Sequence, residues 1–320
     1  MEIDEIFNMT NKPEYQSIDK IKKVFSCHTR FPVPKGEVWM GTDFLAQAGL
    51  SDTLDNHSRL AHELGMDLIC LPVADDARYQ PVLGYRYFKP SDIRTAVRSG
   101  HHLVVAVVDG PLQKQVSHAG LMETLTSWIR DRKKFMEAYT AEQEKILAMV
   151  DQCLEMGAHA LVITDDMASE QGTMISPGDI DIMCTGFYTR AVEMVHEAGR
   201  HILLHSCGKI TGLLPLLDSW KIDGLAAVQH RPNNLVELQH KLPGRIIMAG
   251  IDANFLEQKS FFGLEDDFLK IIALLKHSGG LVLCSACGLY KGYHIDRIKK
   301  IYALADSISA SAAAPFKTGF

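Results

Sequence analysis

The chain has 320 residues and a mass of 35.6 kDa, with 47% hydrophobic and 22% charged residues, a composition that excludes global disorder. Its formal net charge of −6 argues against nucleic acid or an anionic membrane as a partner. No apolar run reaches the roughly 18 residues of a membrane span, and the acidic start lacks a signal-peptide pattern. We therefore expect a cytoplasmic protein whose seven cysteines are thiols or metal ligands.

Short apolar or β-branched runs, typical of buried strands, alternate along the chain with segments of helical periodicity. These runs are 37–41, 66–73, 102–110, 159–166, 201–207, 224–230, 245–252 and 280–287. Amphipathic helices are predicted over 131–156 and 187–198, each followed by a glycine, and a last helix over about 294–308. The alternation predicts an α/β fold, a (β/α)8 TIM barrel, with an open doubly wound sheet as the alternative.

The domain organisation predicted from the sequence is simple. No repeat or linker divides the chain, so residues 1–308 are expected to form a single barrel domain. Residues 1–35 precede the first predicted strand and are expected to form a helical extension that covers the bottom of the barrel. The small-residue segment 309–320 is expected to be a disordered tail.

Ionisable or metal-binding residues end most of the predicted strands. The functional side chains of a barrel gather at the carboxyl ends of its strands, so these residues would share one rim. They are Asp109, Asp165, Asp166, His205, Cys207, His230, Asp252, Cys284 and Cys287.

The sequence HSCG at 205–208 is the most informative of these strand ends. Side chains two apart on a strand share a face, so His205 and Cys207 would point to the same spot. Imidazole and thiolate are ligands that suit zinc, although a core histidine beside a buried thiol is the simpler interpretation of an isolated H-x-C. The segment CSACG at 284–288 supplies another candidate ligand in Cys287, whereas Cys284 is expected in the barrel wall. Three protein ligands would leave the open fourth position typical of catalytic zinc.

Several interpretations of these residues stay open. If protein fills the fourth position, the candidates are Asp165, Asp166 and Glu170. A redox C-x-x-C is disfavoured because no helix is expected directly after its first cysteine. The sequence is also compatible with a structural zinc that binds Cys284 in addition, and with a decarboxylase that uses Asp109 or Asp165 to stabilise charge.

The chain resembles the uroporphyrinogen decarboxylase superfamily, and most closely its zinc-dependent methyltransferase branch, typified by methylcobamide:coenzyme M methyltransferases. The resemblance includes DDMASEQGTMISP (165–177), HSCG (205–208), the stretch 227–252 and the stretch 285–306. The H-x-C with a distant C-G is the zinc signature of that branch, and family members are (β/α)8 barrels. True uroporphyrinogen decarboxylases carry an N-terminal arginine-rich segment that binds the acidic porphyrinogen, whereas 38–50 contains no arginine. This departure argues against decarboxylation of a porphyrinogen.

The resemblance implies a zinc ion held by His205, Cys207 and Cys287, which would activate a methyl donor or acceptor. It also implies a corrinoid (methylcobamide) as the methyl carrier. Because the cobalamin signature D-x-H-x-x-G is absent, this corrinoid is expected on a partner protein. The small-molecule methyl donor or acceptor stays unnamed, and a homodimer is compatible with the sequence. The remaining site candidates are the catalytic residues Asp165, Asp166 and Asp252 and the substrate-binding residues Met167, Gln171, His230 and Tyr290.

Overall fold

The computed structural model describes residues 25, 33–75, 84–257, 266, 268–273, 280–286, 288–290 and 292–311, and the side chains of the last helix up to residue 307. The strands are β1 (Leu68–Pro72), β2 (Leu103–Asp109), β3 (Ala160–Thr164), β4 (Ala168–Ser169), β5 (Gly172–Thr173), β6 (His201–His205), β7 (Gly224–Leu225), β8 (Ile246–Ile251) and β9 (Leu281–Ser285). Seven of them form a curled parallel sheet in the order β1-β2-β3-β6-β7-β8-β9, while β4 and β5 form a separate antiparallel hairpin.

Helices occupy the connections between the strands. They are α1 (Thr42–Gln47), α2 (Leu54–Glu63), α3 (Pro90–Ser99), α4 (Pro111–Ala119), α5 (Leu121–Arg130), α6 (Arg132–Glu155), α7 (Pro177–Glu197), α8 (Leu214–Trp220), α9 (Leu235–Lys241), α10 (Ala253–Glu257) and α11 (Ile295–Ser311). A short 3-10 helix, Ile210–Leu213, precedes α8, and residues 268–273 are also helical.

The sheet is buried on both faces, which is why its strands read as nearly continuous apolar runs. On β2, the side chains of Leu103, Val105 and Val107 belong to an apolar cluster formed with equivalent positions of the neighbouring strands. The alternate residues Val104 and Val108 belong to a larger cluster shared with the helices. The period of two therefore separates an inner face of the sheet from a helix-covered outer face.

The predicted strand 37–41 is not a strand in the structure, although the other seven predicted strands are confirmed with shorter bounds. The chain around Lys35 lies between the two edges of the sheet. The Gly36 N–H donates to the Leu283 carbonyl, and the Lys35 carbonyl accepts from the Leu68 N–H. These contacts are isolated bridges, so the structure shows a curled seven-stranded sheet rather than a closed eight-stranded barrel.

A side chain explains why a regular ladder does not form there. The Glu37 carboxylate accepts the backbone N–H of Ser285 at 2.9 Å, a donor that an eighth strand would otherwise use for its own backbone. Pro34, just before, has no N–H to offer to the ladder. The segment is therefore fixed to β9 by a mixture of side-chain and backbone hydrogen bonds.

Helix α7 begins ten residues before the predicted helix 187–198, at the pair Ser176-Pro177, whose residue types are those of a helix start. The Ser176 hydroxyl accepts from the Asp179 N–H at 3.1 Å, and Pro177 takes the first helical position. The helix ends beside Gly199, whose φ of +66° is a left-handed conformation that glycine adopts at low cost.

The predictions for the chain ends fall largely outside the described residues. Only residues 25 and 33–35 of the predicted N-terminal extension are described, and residues 312–320 of the predicted tail are not. Helix α11 continues to Ser311, three residues beyond its predicted end at 308. Within the described ranges, no helix combines the length and apolar character required to cross a membrane.

Candidate metal centre and adjoining cavity

Three neighbouring strands bring polar side chains to one level at the carboxyl end of the sheet. Asp109 of β2 is in register with Thr164 of β3, which is in register with His205 of β6. Each continues the inner-face positions of its strand, since Val107, Val162 and Leu203 lie two residues earlier in the inner cluster. A cavity of about 150 Å3 opens beside them, lined by Trp39, Tyr85, Tyr87, Asp109, Gln113, Thr164, Asp166, His205 and Cys207.

Metal-binding atoms converge at one side of this cavity. Asp166, His205 and Cys207 each offer one ligand atom, and these atoms all lie within 4.8 Å of one another. The Cys207 sulfur is 3.6 Å from His205 Nε2, and Asp166 Oδ1 is 3.8 Å from the same nitrogen. The structure thus brings together the predicted ligands His205 and Cys207 with Asp166, one of the three candidates for a fourth ligand.

The backbone fixes the orientation of the His205 imidazole. Its Nδ1 lies 2.8 Å from the Ala226 carbonyl oxygen, which can only accept, so Nδ1 carries the proton. The lone pair on Nε2 is then available on the side where Cys207 lies. The Trp39 indole packs edge-on against the imidazole, with ring centroids 4.8 Å apart, and limits its rotation.

The spacing of these atoms fits a tetrahedral zinc ion. At the tetrahedral angle, zinc–sulfur and zinc–nitrogen bonds of about 2.3 and 2.0–2.1 Å place the two ligand atoms about 3.5–3.6 Å apart. The separation of Cys207 Sγ and His205 Nε2 is also 3.6 Å. This contact equally suits a thiol that donates to the imidazole, so the thiol and the metal would compete for the same nitrogen.

The turn after β6 is held by hydrogen bonds and by one glycine. Asp166 Oδ1 accepts the Cys207 N–H at 2.7 Å, which couples the carboxylate to the thiol's backbone. Gly208 has a φ of +80°, and a Cβ there would collide with the backbone of Ser169 in the β4–β5 hairpin. The glycine of HSCG therefore lets the hairpin pack directly against the turn.

Asp165 and its neighbour Asp166 lie in different environments. Asp165 is fully buried and does not line the cavity. Its carboxylate accepts the Gln113 N–H at 2.7 Å, at the first turn of α4, and the Tyr188 hydroxyl at 3.1 Å. Burial raises the pKa of Asp165 to about 7, although these hydrogen bonds oppose the shift. Its contacts are those of a side chain that holds α4 and α7 to the sheet.

His230 and Asp252 are neighbours in the structure, and neither is among the described residues that line the cavity. His230 Nε2 accepts the Gly250 N–H at 3.1 Å, and its Nδ1 is 3.9 Å from Asp252 Oδ2. Burial lowers the pKa of His230, and the Asp252 charge opposes that change. Asp252 also accepts the Asn254 N–H at 2.9 Å, at the start of α10.

The remaining predicted site residues lie apart from the donor group. Met167 is fully buried in the outer core, and Gln171 is exposed at the hairpin turn. The Tyr290 hydroxyl accepts from Tyr293 at 2.7 Å, outside the cavity lining. Cys287, the third predicted zinc ligand, lies outside the described residues.

The match to a known family covers most of this architecture. The family model for uroporphyrinogen decarboxylase (URO-D) matches residues 95–308, more than half of the chain, and includes all three donors. The chain belongs to the uroporphyrinogen decarboxylase family. The predicted superfamily is therefore confirmed. No curated protein sequence is significantly similar to the chain.

Solved structures similar to this uroporphyrinogen decarboxylase family member show the same fold. A methyltransferase from Methanosarcina mazei has a TM-score of 0.70 at 14% identity, with 90% of this chain and 97% of that chain covered. A B12-independent methionine synthase from a Shewanella species has a TM-score of 0.59 at 13% identity, with 88% and 98% covered. At these identities the likeness shows the fold alone.

Most residues of the cavity wall were not among the site residues predicted from the sequence. Tyr85 and Tyr87 come from a segment that lacks a clear strand or helix pattern. Trp39 lies in the run 37–41, which was predicted as a strand, and Thr164 looks like an ordinary strand residue. Asp109 was a candidate only as the charge-stabilising residue of a decarboxylase. Alternation along β2 and β3 is the signal that could have placed Asp109 and Thr164 on the inner face.

Proposed function

We propose that the chain is a zinc-dependent methyltransferase that moves a methyl group between a corrinoid on a partner protein and a small molecule. The observation that carries this proposal is the convergence of Asp166, His205 and Cys207 at the mouth of the curled sheet. Imidazole and thiolate at zinc-like spacing are the ligand types expected of such a site. Cys287, a ligand implied by the resemblance, stays a prediction.

The residues around the proposed site have separate tasks. When bound, zinc supplies positive charge that deprotonates a thiol or polarises a methylated oxygen or nitrogen. The Ala226 carbonyl holds His205 in the tautomer that binds metal through Nε2. Asp166 adds a negative charge beside the donors, and the Trp39 ring covers one side of the imidazole. These residues keep the donor atoms in place before the substrate arrives.

A decarboxylase and a structural zinc site receive less support from the geometry. A carboxylic-acid substrate for a decarboxylase would need basic partners, yet the described residues that line the cavity include no lysine or arginine. A structural zinc that also binds Cys284 would need that thiol at the donor group. Cys284 is instead fully buried in β9, with its sulfur 3.8 Å from Glu37 Oε2.

The test measures zinc and methyl transfer in the same preparations. Zinc is measured by mass spectrometry of the purified chain, and demethylation of methylcob(III)alamin is followed by absorbance with a panel of thiols. We expect about one zinc per chain, and we expect His205→Ala and Cys207→Ala to lose zinc and activity together. Cys153→Ala, which removes a buried thiol of α6, is the matched control and should keep both.

A further pair of variants separates the catalytic from the structural interpretation. Cys287→Ala should lose zinc, whereas Cys284→Ala should retain it. Loss of zinc in Cys284→Ala would favour the closed four-ligand site. A fully folded wild-type chain that binds no zinc under saturating conditions would reject the proposal outright.

A further inference from the structure

Asp109 is a buried carboxylate that the proposed metal site does not use. It is 5% exposed and lines the cavity beside the metal donors. Its Oδ1 accepts the Thr164 hydroxyl at 2.6 Å and lies 3.5 Å from the Tyr87 hydroxyl. Its Oδ2 is buried, and among the described residues no group donates a hydrogen bond to it. An unpaired buried carboxylate oxygen is costly, so the negative charge of Asp109 is only partly compensated by the described residues around it.

Three aromatic side chains form part of the wall of the cavity that Asp109 lines. Trp39, Tyr85 and Tyr87 all line the cavity. The Trp39 and Tyr85 rings are tilted at 46° to each other, with centroids 6.3 Å apart. The faces of aromatic rings attract cations, and several rings around one cavity are the arrangement by which proteins bind alkylated ammonium groups.

The charges of the wall agree with a positively charged ligand. Asp109 and Asp166 are both acidic, and the described lining contains no lysine or arginine. Lys114, the next basic residue after Asp109, lines a different cavity together with Asp75 and Glu142. Its pKa is lowered by burial, and the charge of Asp109 opposes that lowering. An anionic substrate would meet two carboxylates here without a compensating cation from the described wall.

We infer that the cavity binds an alkylated cationic group, an alkylammonium or sulfonium, with Asp109 as its counter-ion and the three aromatic rings as its walls. Asp109 is then the residue that determines specificity for a cationic ligand. The identification of this ligand as the methyl-bearing substrate rests on the proposed function. The binding of the cation does not rest on it, because Asp109 and the three rings carry the argument and Asp166 only adds to the negative charge of the wall.

The test compares choline with dimethylbutanol, its neutral isostere in which carbon replaces the cationic nitrogen. Binding is measured by titration calorimetry, with both zinc-loaded and zinc-depleted protein. We expect wild-type protein to bind choline at least about tenfold more tightly than dimethylbutanol, whether or not zinc is present. Asp109→Asn, which keeps the shape of the side chain and removes its charge, should weaken choline binding about 30-fold or more and reduce the preference to that given by the rings alone.

Asp151→Asn is the matched control, since it removes a carboxylate charge from the exposed side of α6, outside the cavity. It should retain the preference for choline. Equal binding of the two wild-type ligands, no binding of either, or an undiminished preference in folded Asp109→Asn would overturn the inference. Absence of zinc with choline binding intact would reject the proposed function and leave this inference standing.

Discussion

The buried carboxyl of Glu37 makes the stability of the fold depend on pH. Glu37 is 2% exposed, between β9 and α11. It accepts hydrogen bonds from the Ser285 N–H and hydroxyl and from the Tyr302 hydroxyl. Burial nevertheless raises its pKa from 4.5 to about 7, because the charged form loses more solvation than these donors restore.

The sign and size of the effect follow from the two pKa values. Between pH 4.5 and about 7 the folded chain keeps the Glu37 proton and the unfolded chain releases it. The folded state then binds more protons, so the free energy of unfolding falls as the pH rises through that window. With 1.36 kcal/mol per pKa unit, the shift corresponds to a loss of about 3 kcal/mol.

The substitution Glu37→Gln removes the titration while it keeps a side chain of the same length. We expect the wild type to lose about 3 kcal/mol more than this variant between about pH 5 and about pH 8. The measurement is urea unfolding of both proteins across the range, with the exposed Glu63→Gln as a control that should follow the wild type. Asp165 has a similarly raised pKa and titrates in both proteins, so it cancels in the comparison. Parallel curves for wild type and Glu37→Gln would refute the reasoning.

Two further predictions concern the metal site and the packing beneath it. Asp166→Asn should weaken zinc binding about 10- to 100-fold in a chelator competition, because the charge beside Cys207 is lost while the amide can still accept its N–H. Gly110→Ala should destabilise the fold by about 1–3 kcal/mol in urea, because the new Cβ would lie 2.5 Å from Asp165 Cγ. Gly186→Ala in α7 meets nothing within 4 Å and should stabilise it by about 0.5–1 kcal/mol, and equal effects of the two would contradict the packing argument.

The parts of the fold predictable from sequence were those set by local pattern. Seven apolar runs became strands because burial on both faces leaves a continuous apolar signal. The helix start at Ser176 was predictable because the capping hydrogen bond, from the Asp179 N–H, joins residues that are close in sequence. The failure at 37–41 has a long-range cause, since Glu37 binds Ser285, far away in sequence. No local pattern reports such a contact.

The same distinction between local and long-range signals explains how much of the candidate site was predictable from the sequence. The pair His205 and Cys207 was predictable from their spacing at the end of one strand, although the strand stops at His205 and Cys207 lies in the turn that follows. Asp165 and Asp166 are adjacent residues of the same type, and only the register at the end of β3 decides which of the two side chains faces the cavity. The structure turns Asp165 to Gln113 and Tyr188, and it leaves Asp166 beside the metal donors. A shift of one residue in the predicted strand end exchanges these roles.

The register of the sheet also sets the size of substrate that the site can accept. One strand, β3, lies between Asp109 of β2 and His205 of β6, and its residue Thr164 is in register with both. Neighbouring strands lie about 4.8 Å apart, so the two backbones are about 10 Å apart, and their side chains reach toward each other across a cavity of about 150 Å3. A ligand whose cationic group contacts Asp109 then has its reacting atom at the metal donors only when a few bonds separate the two. If the inferred cation is the substrate, this separation would favour a small methylated cation over an extended one.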